Sequence, residues 1–228
     1  MNDHLEPLRA ALVQAMLEHA VFDGWSEKSF QAAARDAGIE EGLAWLAAPR
    51  GAISLLERYI DGARTHMRAQ LAAQDLAGRR IRDRIALAVR LWIDYFAAHR
   101  EATRRAMTLL ALPGHGALAT RLMARAVDEM WRAIGDRSAD FSFYTKRGLL
   151  AGVLSATFLY WLSDESADYV ESWAFLDRRI DNVMAIMTAR RKIEGLMEKL
   201  PSPFRLLARR STSYSSGEHS SGGYSSTG

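Results

Sequence analysis

Residues 24–51 read GWSEKSFQAAARDAGIEEGLAWLAAPRG, and this stretch decides the fold. Gly24 closes the apolar helix before it, and Ser26 offers a hydroxyl to the exposed first-turn amides of the next. Ala33 and Ala34 are small enough for a close helix crossing, and Gly38 in Ala37-Gly38-Ile39 suits the turn between two short helices. The spacing predicts a helix–turn–helix with helices over 26–37 and 40–48, ended by Pro49-Arg50-Gly51.

Outward from this unit the apolar residues keep a 3.6-residue period, and no alternating β-branched run calls for a strand, so the fold class is all-α. In the first helix Leu5, Leu8, Leu12 and Met16 form one stripe. The five prolines, Pro7, Pro49, Pro113, Pro201 and Pro203, fall where helices begin or end. Besides the two above, helices are predicted at 5–21, 51–75, 79–98, 101–111, 115–134, 140–163, 168–188 and 190–200, with a short turn at 203–209; Ser26, Asp140 and Ser166 are the expected N-caps. Leu149–Leu162 is shorter than the ~20 apolar residues a spanning helix needs. Apolar nearly all round, it reads as a central buried helix, whose small residues Gly148, Ala151, Gly152, Ser155 and Ala156 permit either close packing or a cavity.

At 228 residues and 49% hydrophobic, the chain can bury a substantial core. It has no cysteine, which excludes disulfides and thiolate chemistry. The start, MNDHLEPLRAAL, is polar and acidic, so no export is expected. The formal charge of +3 is unevenly placed: residues 190–210 carry +5, while 1–189 carry −1. The basic character therefore belongs to one segment and points to a local anionic partner. There Ile193, Leu196, Met197 and Leu200 share a helical face opposite Arg190, Arg191, Lys192 and Lys199, and beyond Pro201 stand Phe204, Leu206 and Leu207. That pattern predicts an amphipathic membrane-binding segment. Residues 211–228, STSYSSGEHSSGGYSSTG, have almost nothing to bury and read as a disordered tail.

The search for catalytic chemistry is unproductive. The histidines His4, His19, His66, His99, His115 and His219 lack metal-ligand spacings, and GxSxG, GxxxxGK[ST] and GxGxxG are all missing. No catalytic residue, metal or cofactor is expected, and the run Arg79, Arg80, Arg82, Arg84 with Asp75 and Asp83 reads as a solvated face.

The quoted stretch resembles the N-terminal domain of tetracycline-repressor-type regulators in Gly24-Trp25, Ala33-Ala34, Ala37-Gly38-Ile39 and the aromatic Trp45. The helix in the recognition position, however, offers Glu40, Glu41, Gly42, Leu43, Ala44, Trp45, Leu46, Ala47 and Ala48, with no cation before Arg50. DNA binding draws most of its affinity from phosphate contacts, so no specific nucleic acid is expected as a partner.

A second resemblance covers residues 128–186, DEMWRAIGDRSADFSFYTKRGLLAGVLSATFLYWLSDESADYVESWAFLDRRIDNVMAI. On Asp128, Trp131, Gly135-Asp136, Ser138, Asp140-Phe141, Tyr144-Thr145-Lys146-Arg147, Tyr160-Trp161-Leu162, Asp164, Ser166, Trp173, Phe175-Leu176 and Arg178-Arg179-Ile180 it is similar to the ubiquinone biosynthesis accessory family. The likeness extends over roughly residues 5–210, although Ala48 stands where that family usually has an aromatic. It implies a non-enzymatic homodimer with a repressor-like fold, dimerising through the last two long helices of the body. It also implies a hydrophobic lipid site, a C-terminal membrane helix, and a di-iron demethoxyubiquinone hydroxylase as partner. The ligand expected is an isoprenoid quinone or other lipid, and the place is the cytoplasmic face of the inner membrane if the chain is bacterial.

On that reading Leu110, Trp131, Leu150, Ala151, Leu154, Ser155 and Phe158 are the candidate lipid-binding residues, with Met107, Met123 and Met130 as further wall. Asp140, Phe143, Tyr144 and Arg147 are the candidate hydroxylase-docking residues. The expected division is 1–50 helix-turn-helix-like, 51–189 lipid-binding and dimerising, 190–210 membrane-binding and 211–228 tail. The alternative is a ligand-responsive transcription regulator, which would need a basic third helix; a small-molecule enzyme would need titratable groups in the cavity.

Overall fold

A computed structural model describes the backbone of residues 3–135 and 142–197 and the side chains of residues 4–135 and 144–186. It is all-α, with no strand among the described residues. The helices are α1 (Glu6–Asp23), α2 (Glu27–Asp36), α3 (Glu41–Ala47), α4 (Ala52–Ala72) and α5 (Ile81–Asp94), then α6 (Arg100–Leu110), α7 (Gly116–Ala133), α8 (Ser142–Ser163) and α9 (Val170–Met197). Two compact units divide the chain, Met1–Asp181 and Asn182–Gly228. In the second, the described backbone is the helix up to Met197.

Turn chemistry holds the N-terminal unit as the sequence predicts. Ser26 Oγ accepts from the Ser29 amide at 3.2 Å and starts α2. Gly38 ends it with φ +66°, and Gly51 takes φ +53° with the Trp45 ring 3.1 Å from where a Cβ would stand. Trp45 packs on Phe30 at 4.7 Å between ring centroids, and the Trp25 indole donates to the Ala102 carbonyl at 2.9 Å, tying this unit to α6.

The innermost helix is α4, not α8 as expected. It buries Leu55, Leu56, Tyr59, Ile60, Ala63, Met67 and Leu71 and packs against α1, α2, α5 and α7. Along α8, Leu150, Val153, Leu154, Thr157, Phe158 and Trp161 are buried, whereas Gly148, Gly152 and Leu159 are exposed. An all-round apolar sequence carries no phase, and within this single chain neighbours cover only one side of the helix. The break expected between helices at 168–188 and 190–200 is absent, since neither proline nor glycine interrupts residues 186–192 and α9 runs on to Met197; residues 198–200 lie outside the described residues.

The α8–α9 corner is closed by polar groups. Arg100 donates to the Trp161 and Asp164 carbonyls at 2.6 and 2.5 Å, and Arg104 donates to the Leu162 carbonyl at 2.6 Å, satisfying the orphan acceptors at the end of α8. Asp164 is the principal cap of α9: its carboxylate accepts from the Ser166 amide, the Ser172 amide and the Ser172 hydroxyl at 2.8, 2.8 and 2.5 Å. Ser166 Oγ accepts from the Glu171 amide at 3.2 Å. The third expected cap, Asp140, lies outside the described residues. Burial alone would raise the Asp164 carboxyl; the hydrogen bonds from Ser166 and Ser172 outweigh it and hold the group well below the usual carboxylate range. Asp168 and Tyr169 sit at φ 52° and 55°, a left-handed bend held by the Trp173 indole on the Asp168 carbonyl at 2.9 Å and by Arg100 5.3 Å from the Tyr169 ring centroid.

Candidate functional site

A cavity of about 270 Å³ opens between α4, α5, α6, α7 and α8. Its floor is aromatic. Trp92 on α5 and Phe96 in the turn just after it meet Phe158 of α8 at 5.2 and 5.4 Å, and Tyr59 of α4 stands edge-on to Phe96 at 5.3 Å. Above the floor, the α6–α7 side contributes Met107, Leu110, Ala111, Ala119, Leu122 and Met123. Ala111 and Leu159 of the lining are exposed, so the cavity communicates with the surface there.

Among the described residues the lining contains no charged side chain. Its polar side chains are Tyr59, Thr103, Ser155 and Trp92, whose buried indole N–H has no hydrogen-bond partner. Thr103 donates to the His99 carbonyl at 2.9 Å, so the Tyr59 hydroxyl is the donor in their 2.8 Å contact and both protons point into the protein. Burial pushes the Tyr59 phenol far up, more than its bond to Thr103 offsets, so it stays neutral. The chemistry of this lining suits an uncharged, apolar molecule better than a charged one. No group of three or more His, Asp or Glu suited to a metal occurs among the described residues.

Of the residues expected from sequence, Leu110, Ser155 and Phe158 line this cavity, with Met107 and Met123. Trp131, Leu150, Ala151, Leu154 and Met130 do not. Trp131, Leu150, Leu154 and Met130 are buried elsewhere, and Ala151 lies half-buried on α8. Ser155, Phe158 and Leu159 border the cavity, whereas Leu150, Ala151 and Leu154 lie nearer the start of α8 and outside its lining. Tyr59, Trp92, Phe96 and Thr103 were not expected, because an i, i+4 aromatic pair such as Trp92 and Phe96 reads as ordinary core in sequence.

Around the start of α8, Tyr144 is 75% exposed. The Arg147 guanidinium donates to Asp128 at 2.9 Å, and Asp128 also pairs with Arg132. Lys146 lies 5.6 Å from the Trp131 ring centroid. Asp140 and the Phe143 side chain lie outside the described residues. So do the side chains of Ile193, Leu196 and Met197, and Leu200, Phe204, Leu206, Leu207 and residues 211–228 altogether.

The helix-turn-helix presents carboxylates where a reader presents cations. Glu40 accepts from the Gly42 and Leu43 amides at 2.9 and 3.0 Å, occupying the start of α3, and those backbone bonds lower its carboxyl below the usual range. Glu41, Leu43 and Leu46 complete an exposed face. His19 meets Asp36 at 2.7 Å, and Asp23 takes Lys28 at 2.9 Å. In the arginine run, Arg82 grips Asp181 at 2.6 and 2.8 Å, and Arg84 binds the Ala77, Arg79 and Ile134 carbonyls. These arginines serve local structure rather than a phosphate patch. No helix among the described residues is long and apolar enough to cross a membrane.

The sequence profile of the COQ9 family matches residues 117–187, which span α7, α8 and most of α9. The rat ubiquinone biosynthesis protein COQ9, mitochondrial, is 26% identical over 206 residues, covering 86% of this chain and 64% of the relative. The human protein of that name is also 26% identical over 206 residues, with 86% and 63% covered. COQ9-A of Xenopus laevis reaches 33% over 125 residues, covering 51% of this chain and 38% of its own. The chain thus spans less than two thirds of the length of the first two relatives. In fold it is similar to a TetR transcriptional regulator from Nitrosomonas europaea, with a TM-score of 0.67 at 21% identity over 78% of this chain and 99% of that one. A shared profile across the α7–α9 region and relatives matching over most of the chain make it similar to the COQ9 family of ubiquinone biosynthesis proteins, and its architecture is a tetracycline-repressor-type fold.

Proposed function

We propose that this chain is a non-enzymatic lipid-binding factor of ubiquinone biosynthesis, which holds an isoprenoid quinone intermediate and presents it to the demethoxyubiquinone hydroxylase at a membrane. One observation supports this most: the cavity is aromatic-floored, and among the described residues no charged side chain lines it. Its inner hydroxyl protons are already committed. An acidic or cationic ligand would lose its hydration there without compensation, whereas a neutral ring or isoprene unit loses little. About 270 Å³ is near the lower end of the roughly 300–1,000 Å³ typical of small-molecule sites, so a long polyprenyl tail must continue out through the opening.

The remaining parts of the reading follow the family. The exposed apolar strip Gly148, Gly152 and Leu159 of α8 suits a second copy of the chain, giving a homodimer through the last two helices of the body. Residues 190–210 supply the membrane contact, and Asp140, Phe143, Tyr144 and Arg147 the hydroxylase contact. Within that patch Tyr144 offers area, while the Asp128 pair fixes Arg147. The test is organic extraction of the purified full chain followed by mass spectrometry. A co-purifying isoprenoid quinone species is expected; a chain that carries no lipid, and takes up none from quinone-containing vesicles, contradicts the reading.

A further inference from the structure

Residues 106–120, AMTLLALPGHGALAT, are fifteen consecutive positions without an acid, lysine or arginine, bracketed by Arg104-Arg105 and by Arg121. In the structure they form the end of α6, the connecting turn and the start of α7. The turn itself needs Pro113 and Gly114, which takes φ +96°. It does not need Leu112, which is 49% exposed, beside exposed Ala111 and Pro113. A loop tip standing in water is ordinarily polar, so an apolar tip asks for an apolar environment.

We propose that this α6–α7 tip seats in an anionic bilayer surface and is the doorway by which lipid passes between the membrane and the cavity. The inference rests on the lipid-binding reading above. Two further observations carry it. The same hairpin walls the cavity through Met107, Leu110, Ala111, Ala119 and Met123, and Ala111 is both lining and exposed, so the opening lies beside the tip. Behind the tip the charge is positive: Arg104 and Arg105 share Glu101, and Arg50 and Arg121 share Glu57, leaving four guanidiniums on two carboxylates. Arg104, Arg105 and Arg121 each keep 49% of their side chains exposed. At 1.5 Å per helical residue they lie about 10 Å back from the tip, the depth at which lipid phosphates meet a protein whose tip has entered the acyl boundary. A lipid leaving the cavity there enters acyl chains without crossing water.

The chain has no cysteine, so Leu112→Cys carries a single environment-sensitive NBD label, and Lys28→Cys on α2 gives an exposed control. With phosphatidylcholine–phosphatidylglycerol vesicles, the label at 112 should shift to the blue, brighten, and be quenched by nitroxides on the acyl chains, and the label at 28 should do none of these. Leu112→Asp should slow exchange of lipid with those vesicles on the order of tenfold while the melting temperature holds. A label at 112 that stays in water on vesicle-bound protein, or a chain that does not bind the vesicles, overturns the proposal, as does a partner protein that shields the label without vesicles. A lipid-free cavity in the purified wild type counts against the lipid-binding reading itself; a filled cavity with a wet label overturns the doorway alone.

Discussion

The α8–α9 corner and the cavity are built from the same kinds of side chain, aromatics and hydrogen-bonding groups, yet use them in opposite ways. At the corner most hydrogen-bonding groups meet one another: Asp164 takes three donors from Ser166 and Ser172, Arg100 donates to two carbonyls, and Tyr169 and Trp161 lie 5.3 and 5.4 Å from the Arg100 guanidinium, although Arg100 Nε and the Trp161 indole N–H are buried without a partner. In the cavity the aromatics Trp92, Phe96 and Phe158 meet chiefly one another, and the hydroxyls of Tyr59 and Thr103 turn inward. The corner is a joint, in which removal of any one group strands its partners. The cavity is instead walled mainly by apolar surface, and among its described lining residues the Trp92 indole N–H is a buried donor left without a partner. Trp161, Asp164, Ser166 and Trp173, four of the residues on which the sequence resemblance rests, fall in the joint and hold architecture there.

This contrast can be broken first at the joint. Asp164→Ala leaves two amides and a hydroxyl without their acceptor in a buried place, and should lower stability by about 3–4 kcal/mol in urea unfolding. The same carboxylate sets a pH dependence. Its folded pKa lies below its unfolded value of about 4, so its stabilisation is full above that pH and is lost as pH falls toward the folded value. Unfolding measured across pH 2–6 should show an acid limb that is shallower in Asp164→Ala. An unchanged limb would mean that other carboxylates carry it.

A smaller effect is expected where a cavity hydroxyl is removed. Thr103→Val takes away the acceptor for the Tyr59 hydroxyl and should cost about 1–2 kcal/mol, with lipid retained, because the bond points into the protein. Loss of lipid at unchanged stability would show instead that Thr103 faces the ligand. The smallest effect belongs to the helix-turn-helix. Glu40→Ala removes the acceptor at the start of α3 and should lower the melting temperature slightly. Gel shifts with genomic DNA at low salt should remain weak and sequence-independent for wild type and variant, and protection of a discrete operator would overturn that.

The fold was legible because its decisive features are geometric. Ser26, Gly38 and the Ala33-Ala34 pair satisfy requirements of capping, turning and close crossing that few residues meet, and the helices fall between the prolines and glycines. The cavity was only partly legible. A helix that is apolar on every side, such as α8, does not say which of its residues border a void; Ser155 and Phe158 line this cavity and Leu150, Ala151 and Leu154 do not. Tyr59, Trp92 and Phe96 are indistinguishable in sequence from ordinary core, and Thr103 gains meaning only through its contact with Tyr59 across 44 positions. The role of Asp164 was hidden for a similar reason: an acid between two helices looks like a solvated linker until Ser172 is seen to return to it.

The central claim, that lipid occupies this cavity, is tested most directly by native mass spectrometry of the wild type beside Ser155→Trp and Ala151→Trp. Residue 155 lines the cavity and residue 151, one turn away on the same helix, does not. An indole at 155 fills much of the space and should remove the lipid adduct, while an indole at 151 should leave it, with all three chains folded by circular dichroism. Retention of the adduct in Ser155→Trp, or its loss only in Ala151→Trp, would contradict the account and place the ligand elsewhere.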